Sequence, residues 1–137
     1  MVVRTPMIEM TTIGAGGGSI AHIDETGLLD IGPQSAGSDP GPVCYGLGND
    51  RPTVTDANLV LGRIDARNPI GEKLTRLDSE AAATAIDRHI AGPLGISVEE
   101  AAEAIISVAN AKMAGAIRLI SIERGHDPKR FAAMPFG

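Results

Sequence analysis

Near the N-terminus lies a glycine-rich stretch, TTIGAGGGSIAHID, whose residue types could bind an anion or hold a ligand against the main chain. Four glycines and one serine fall within six positions there: Gly14, Gly16, Gly17, Gly18 and Ser19. Successive glycines let main-chain N–H groups converge on an anion, and the serine adds a hydroxyl donor. A tight turn or a bulge between strands accounts for the same residues, so spacing alone leaves ligand contact and a plain turn equally open.

Two known phosphate-binding patterns can be tested against this stretch. A Walker A loop ends in Gly-Lys-Ser/Thr so that its lysine reaches the phosphates, and no lysine is present here. The segment 16–21, GGGSIA, fits the looser dinucleotide pattern, but that pattern must open a helix, here from Ser19. The turn sequence ETG at 25–27 follows too closely for a helix, because its glycine suits a hairpin. We therefore expect a hairpin and disfavour a dinucleotide module.

The other side chains that could bind metal or act as nucleophiles form no catalytic set by spacing. His22 and Asp24 alternate and could share one face of a strand, yet a catalytic zinc site needs three protein ligands. We expect His89 to be a partly buried core histidine and His126 to belong to a turn, so no metal site is predicted. For Cys44, a buried structural thiol is favoured over a nucleophile, because no thiol-protease signature surrounds it.

Two carboxylates have structural explanations but stay open as ligands. Asp39 lies in the turn sequence SDPGP, and Asp56 lies at the start of a predicted helix, where capping and the helix dipole explain it. Either carboxylate could bind magnesium, although nothing in the local sequence requires it.

Composition narrows the class of protein. The 137 residues carry a net charge of −5, with 43% hydrophobic and 2% aromatic residues. An acidic chain without a basic stripe or stacking aromatics is a poor nucleic-acid binder. No apolar run approaches the roughly 20 residues that span a bilayer, and the N-terminus lacks a signal-peptide pattern. We therefore expect a cytoplasmic protein with neither nucleic-acid nor membrane partners, and a core of aliphatic and alanine side chains.

The candidate residues must be positioned by a hairpin and a long loop. Strands are expected at 19–24 and 28–31. The segment 32–52 packs four prolines and five glycines into 21 residues, which should exclude regular structure. Because it also contains a short apolar sequence, VCY, we expect an ordered loop.

Three helices are expected after the loop. Thr53 or Thr55 caps the first, in TVTDANLVLG, and Asp78 caps the second, which the pair at 92–93, Gly-Pro, should stop. The second helix has one apolar stripe: Ala82, Ile86 and Ile90. Ser97 and Glu100 suit a capping box for the third.

The third helix has an apolar face from Val98 to Ile120 and should end at Gly125. The last residues, RFAAMPFG, are expected to form a strand. The fold class is therefore α+β: a short N-terminal β-hairpin and a long Gly/Pro loop, followed by about three helices and a terminal strand. We expect one partial domain over 1–137, with a Gly/Pro-rich strand-loop part at 1–52 and a helical part at 53–137.

Three long motifs in order, TIGAGGGSIAHID, GLLDIGPQSAGSDPGPVCYG and PTVTDANLVLGRID, resemble the hydantoinase A/oxoprolinase family. The segment LISIERGHDPKRFAAMPFG is also similar to that family, so the resemblance runs from about Thr11 to Gly137. The family is similar to the actin-like ATPases, which share the ribonuclease H-like fold. The resemblance implies phosphorylation of an amide or carbonyl oxygen by ATP with magnesium, followed by ring opening or carboxylation, often with a second subunit.

The resemblance also implies that this chain is an internal segment. Family members are much longer, and their Asp-x-Gly-Gly-Thr phosphate-binding loops lie upstream and have no counterpart here. We therefore expect no ATPase activity from the isolated chain. Its expected partners are the rest of the parent polypeptide, a second hydantoinase-type subunit and a small-molecule cyclic amide.

In the parent protein, the resemblance assigns eight residues to the nucleotide or substrate cleft: Gly14, Gly16, Gly17, Gly18, Ser19, Asp39, Gly41 and Asp56. It assigns no catalytic residue. Two alternatives stay open: a non-catalytic structural or subunit-interaction domain, and a segment of an acetone or acetophenone carboxylase subunit. In either case the apolar helical face could bury against absent lobes, so the isolated chain could self-associate.

Overall fold

The computed structural model describes residues 12–69 and 73–134. Its elements in chain order are strands β1 (Ser19–Ile23) and β2 (Leu29–Ser35), a 3-10 turn (Val43–Tyr45), helices α1 (Val54–Val60) and α2 (Ser79–Ile86), a π-helical segment (Asp87–Ala91), the short helix α3 (Gly92–Leu94), the long helix α4 (Val98–Glu123) and a second 3-10 turn (Pro128–Arg130). The protein is therefore mixed, with helices beside a small antiparallel sheet.

The predicted hairpin is confirmed. β1 and β2 are antiparallel, with Ala21 opposite Ile31. The Asp24 carboxylate accepts hydrogen bonds from the Thr26 N–H at 2.8 Å and the Thr26 hydroxyl at 2.6 Å, which fixes the turn. Gly27, with φ 85°, completes it in a conformation that glycine adopts without strain. A hairpin at this position removes the dinucleotide interpretation, which needs a helix there.

The expectation that 32–52 has no regular structure is wrong at two places. β2 continues to Ser35, and Val43–Tyr45 forms a 3-10 turn. Within the described residues the sheet has two strands, so β2 is an edge strand. The exposed Pro33 is tolerated because an edge strand does not need every N–H for a ladder.

The predicted caps of the first two helices are confirmed. The Thr53 hydroxyl accepts from the Asp56 N–H at 3.3 Å, and the Asp56 carboxylate accepts in return from the Thr53 N–H at 2.9 Å. Asp78 accepts from the Ala81 N–H at 2.9 Å. The predicted stripe of the second helix has no exposed surface: Ala82, Ile86 and Ile90.

The expected helix stop at the Gly92-Pro93 pair is wrong. The chain continues from α2 through the π-helical segment and α3, and it ends at Gly95, which has φ 66°. The Gly92 N–H donates to the Asp87 carbonyl across the wider π turn. In an α-helix the proline ring would clash with the carbonyl four residues earlier, and we attribute the continuation to this widening.

Helix α4 begins and ends at the predicted residues, but the reciprocal Glu100 bond of the expected capping box is absent from the described part of the chain, and the burial of the helix differs from the prediction. The Ser97 hydroxyl accepts from the Glu100 N–H at 3.1 Å, and Gly125, with φ 73°, follows the last turn. The apolar face was predicted to continue to Ile120, yet α4 is buried only as far as Ala109. From residue 110 to residue 134 no residue is buried.

The expected terminal strand is wrong within the described residues. Pro128–Arg130 forms a 3-10 turn, because the Asp127 carboxylate accepts from the Lys129 N–H at 3.0 Å. Residues 131–134 have no regular structure, and 135–137 lie outside the described residues.

By length and composition, α4 could cross a membrane. The expectation that no segment of the chain is long and apolar enough to span a bilayer is therefore not met. The helix has 26 residues, and its most apolar window has a mean hydropathy of 1.4 with 17% of that window buried. This is weak evidence, because the core helices of soluble proteins pass the same test. The first half of α4 is such a core helix, since Ala102 and Ile105 have no exposed surface.

The core joins one face of the hairpin to the helices. Ile31 of β2, Ile86 of α2 and Ile105 of α4 belong to it with no exposed surface. Lys112 of α4 also binds β2, because its Nζ lies 2.7 Å from an Asp30 carboxylate oxygen and donates to the Ile31 carbonyl. A second cluster holds the loop against α1 and α2: Cys44, Leu59, Leu77 and Ala82. The core is aliphatic and alanine-rich, as composition predicted.

Candidate functional site

The glycine loop, residues 14–19, turns its carbonyls into the protein. The Gly16 carbonyl accepts from the Ser19 N–H at 3.1 Å, the Gly17 carbonyl from the Thr55 N–H at 2.9 Å, and the Gly18 carbonyl from the Ala36 N–H at 2.8 Å. These bonds tie the loop to the start of α1 and to the turn after β2. The loop is therefore fixed from one side.

The amides of the same loop are mostly uncommitted. The Gly16 N–H donates to the Ser19 hydroxyl at 2.9 Å. The amides of Gly17 and Gly18 donate to no acceptor among the described residues. A shallow concavity of about 240 Å³ adjoins the loop, and it is lined by every loop residue except Gly17, together with Ile13, Pro33 and Ser35. Free donors beside a concavity are what an anion site requires.

Two of the loop glycines are required for space. A Cβ at Gly17 would lie 2.7 Å from the Thr55 hydroxyl oxygen, and a Cβ at Gly18 would lie 2.8 Å from the Ser35 hydroxyl oxygen. Neither glycine has positive φ. Gly14 and Gly16 would meet nothing within 4 Å. Close approach of β2 and α1 to the loop therefore explains Gly17 and Gly18 in structural terms.

Asp56 joins the Gly/Pro loop to α1. It has no exposed surface. Its carboxylate accepts from the N–H groups of Val43 at 3.0 Å, Cys44 at 2.9 Å and Thr53 at 2.9 Å, and from the Thr53 hydroxyl at 2.9 Å. Both oxygens are thus committed within the protein. This arrangement explains Asp56 without a ligand, and its assignment to a cleft stays a prediction.

Asp39 and Gly41 lie in the turn that follows β2. Asp39 is exposed. Gly41, with φ 74°, donates to the Ala36 carbonyl at 3.1 Å, and a Cβ on it would lie 2.5 Å from the Tyr45 ring. The Asn49 amide donates to the Gly41 carbonyl at 2.9 Å. Sequence reasoning missed Asn49, because nothing in the pattern around it indicates a bond eight positions away.

The predicted cleft residues thus come from three neighbouring segments. The glycine loop contacts the start of α1 through Gly17 and the turn after β2 through Gly18, and Asp56 ties that turn's continuation to α1. A larger concavity of about 400 Å³ lies elsewhere, between the Gly/Pro loop and α2. Its lining has three carboxylates and one cation, so its net negative charge disfavours phosphate groups: Asp50, Asp78, Glu80 and Arg88.

The other candidates have structural roles or no partner for catalysis. Cys44 is 1% exposed, and burial first and the Asp56 carboxylate second raise the pKa of its thiol, which disfavours a nucleophile. His89 Nε2 is buried and has no hydrogen-bond partner among the described residues. In residues 12–69 and 73–134, no three side chains of His, Cys, Asp or Glu gather as a metal site would require.

Comparison with known proteins gives consistent matches. A family model described as hydantoinase/oxoprolinase matches residues 1–137. The chain is 54% identical over 135 residues to the caprolactamase subunit alpha of Pseudomonas jessenii, a match that covers 98% of this chain and 19% of the relative. It is 44% identical over 137 residues to the acetophenone carboxylase gamma subunit of Aromatoleum aromaticum, covering 99% of this chain and 19% of the relative.

Solved structures share the fold. The crystal structure of ATP-dependent caprolactamase from Pseudomonas jessenii matches with a TM-score of 0.79 and 57% identity, over 90% of this chain and 18% of that chain. Nucleotide-free acetone carboxylase matches with a TM-score of 0.78 and 34% identity, over 87% of this chain and 17% of that chain. The chain therefore spans about a fifth of the length of the curated relatives it matches, and its mixed fold is consistent with a partial domain of these structures.

Proposed function

The chain belongs to the hydantoinase/oxoprolinase family, and from that premise we propose that it is a segment of an ATP-dependent enzyme that phosphorylates a cyclic amide before opening its ring. Similarity to an ATP-dependent caprolactamase supports the proposal, because caprolactam is a cyclic amide. An actin-like ATPase fold for the whole protein and a cytoplasmic location are parts of the same proposal.

The observation that carries this proposal is the pair of adjacent amides at Gly17 and Gly18, which donate to no acceptor within the described residues. Of the two, Gly18 lines the concavity together with Ser19 and Ser35, and an unbonded amide beside hydroxyl groups suits the oxygens of a phosphate group. ATP would supply the phosphoryl group that makes the poorly electrophilic amide carbon reactive, so that water can add there and the ring C–N bond can break. The part played by this chain is to bind and orient phosphate oxygens, since phosphoryl transfer depends on positioning and charge stabilisation.

Other requirements of the reaction fall to the rest of the longer protein in this proposal. Magnesium would be held there, since the Asp56 carboxylate already accepts four hydrogen bonds within the protein. Substrate contacts and the second phosphate clamp would lie there too. We therefore expect the isolated chain to bind Mg-ATP weakly and to hydrolyse none of it.

Amide chemical shifts of the ¹⁵N-labelled chain during titration with Mg-ATP test the proposal. The signals of Gly17 and Gly18 should move most, and the signal of Gly27 in the hairpin turn should stay still. Gly18→Ala should weaken binding, because its Cβ would lie 2.8 Å from the Ser35 hydroxyl oxygen. Gly115→Ala in α4 is the matched control, since its Cβ also meets nothing within 4 Å and the residue does not line the concavity.

If the amide chemical shifts of Gly17 and Gly18 do not change in millimolar Mg-ATP, the proposal is wrong. Equal affinity of the two alanine variants would contradict the role of the loop.

A second candidate is a segment of a carboxylase subunit. It is favoured by the 44% identity to the acetophenone carboxylase gamma subunit and by the fold shared with acetone carboxylase. Both named relatives in sequence are subunits, which supports a second hydantoinase-type subunit as a partner. A measurement of ADP release by the longer protein separates the two candidates. Stimulation by a lactam would favour the cyclic-amide enzyme, and stimulation by a ketone would favour the carboxylase.

A further inference from the structure

The last part of the described chain, residues 113–134, extends beyond the packed body, and we call it the overhang. No residue in it is buried, whereas the preceding half of α4 supplies five buried side chains to the core. Lys112, just before it, makes the ion pair with Asp30 of β2 at 2.7 Å. The packed body therefore ends near this ion pair, while α4 continues to Glu123.

The helical part of the overhang is apolar on more than one side. Ile117, Leu119 and Ile122 are 54%, 60% and 63% exposed. Ile117 and Leu119 lie about 160° apart around the axis of an α-helix, so one flat surface cannot cover both. A helix that is apolar all round is normally buried, and a short helix without packing is marginal in water. The overhang therefore has the composition of a core helix.

A lipid bilayer fits this part of the chain poorly. The helical overhang from 113 to 123 rises about 16 Å, roughly half the thickness of a hydrocarbon core. The rest of α4 cannot be added to it, because that half is packed among the core residues. A polypeptide that surrounds the helix fits better.

We propose that the overhang is the docking surface for the polypeptide that flanks this region in the longer family members. The chain spans 19% of the caprolactamase subunit alpha, so most of such a protein is available to cover it. The match to the caprolactamase structure leaves out a tenth of this chain, which is fewer residues than the overhang contains. Part of the overhang therefore has a counterpart within a much longer folded chain.

The charges of the overhang specify the covering surface further. It carries four cationic residues, Arg118, Arg124, Lys129 and Arg130, against two acidic ones, Glu123 and Asp127, in a chain whose net charge is −5. The covering surface is accordingly apolar where it meets Ile117, Leu119 and Ile122, and acidic where it meets Arg118, Lys129 and Arg130, because opposite charges set register at an interface.

Thiol footprinting of a graft tests the proposal. Residues 1–137 replace the matching region of the Pseudomonas jessenii caprolactamase subunit alpha, which is 54% identical over that region. Ile117→Cys and Ile122→Cys are introduced separately into the graft and into the isolated chain. Arg67→Cys is the control, because the Arg67 side chain is 82% exposed and lies outside the overhang. The unsubstituted proteins give the background rate.

The expected result is at least a tenfold fall in the labelling rate at both overhang positions in the graft, with equal rates at the control position. Equal rates at all positions would overturn the proposal. If the graft shows no protection, concentration-dependent protection in the isolated chain would identify a second copy as the occupant, and protection by anionic vesicles would identify lipid. Either outcome overturns the proposal. If the graft does not fold, cysteines at the matching positions of unsubstituted caprolactamase subunit alpha give the same readout.

Discussion

Asp56 shows how one residue can organise a candidate site without touching a ligand. Its buried carboxylate accepts four hydrogen bonds, two of them from Val43 and Cys44 on the Gly/Pro loop. The capping role with Thr53 was predictable, because the residues are three positions apart in a helix-start pattern. The bonds to Val43 and Cys44 were not, because a loop of mostly proline and glycine gives no register for a contact 13 positions away.

Asp56→Asn should lower the free energy of unfolding by about 3 kcal/mol, because an amide nitrogen would face buried donors that the carboxylate now satisfies. Urea denaturation measures the change. Asp50→Asn, at an exposed position, should change the free energy by no more than about 0.5 kcal/mol. A similar small effect for both variants would show that Asp56 is not the link between loop and helix.

Asp30 gives the stability a dependence on pH. The Lys112 ammonium first, and the Ile31 N–H second, hold the pKa of Asp30 below its ordinary value of 3.8. A lowered pKa in the folded state adds stability above the ordinary pKa, and this is lost as pH falls through the folded value. The urea concentration at the unfolding midpoint should therefore decrease when the pH is lowered below about 4, and Lys112→Met should make this decrease smaller.

Arg67→Met is the matched control for the Asp30 ion pair. The pKa of Asp65 is lowered mainly by the Arg67 main-chain N–H, which survives the substitution. The urea midpoint of the Arg67→Met variant should therefore depend on pH in the same way as that of the wild type. Parallel profiles for Lys112→Met and wild type would show that the ion pair contributes nothing measurable.

At the scale of elements, helix starts were predictable and helix interiors less so. Thr53, Asp78 and Ser97 each cap as their side chains indicate, because capping is decided within three residues. The continuation of the helix past Pro93 was not predictable, since it depends on a π-helical segment that no local sequence pattern indicates. The extension of β2 past Gly32 likewise depends on β2 being a sheet edge, which is a tertiary fact.

Two glycine substitutions with opposite signs test one helix end and one helix interior. Gly95→Ala should destabilise the chain by about 1 kcal/mol, because Gly95 has φ 66°, where a side chain is strained. Gly115→Ala should stabilise it by about 1 kcal/mol, since this glycine lies within α4 and its Cβ would meet nothing within 4 Å. Thermal unfolding measures both. A destabilising Gly115→Ala would mean that the glycine has a contact within the chain.

At the scale of the whole molecule, stability should be distributed unevenly along α4. The first half packs in the core, and no residue after Ala109 is buried up to residue 134. Burial in the first half could be predicted from the apolar stripe. Exposure of the second half could not, because the same stripe continues to Ile120 and the sequence pattern does not reveal which surface covers it.

Hydrogen exchange of the isolated chain should reveal this difference. Amides from 102 to 109 should exchange only through global unfolding, whereas amides from 117 to 123 should exchange many times faster by fraying. Equal protection along the helix would contradict the model of an unsupported second half, and would favour self-association if it depended on concentration.

Tyr45 gives the chain an optical property that could be put to use. The protein has one tyrosine and no tryptophan. That tyrosine ring lies against Gly41, in the segment that Asp56 fastens to α1. Ultraviolet-excited emission from the unlabelled protein therefore originates at a single known place in the Gly/Pro loop, and its anisotropy or quenching would report rearrangement of that loop without any attached dye.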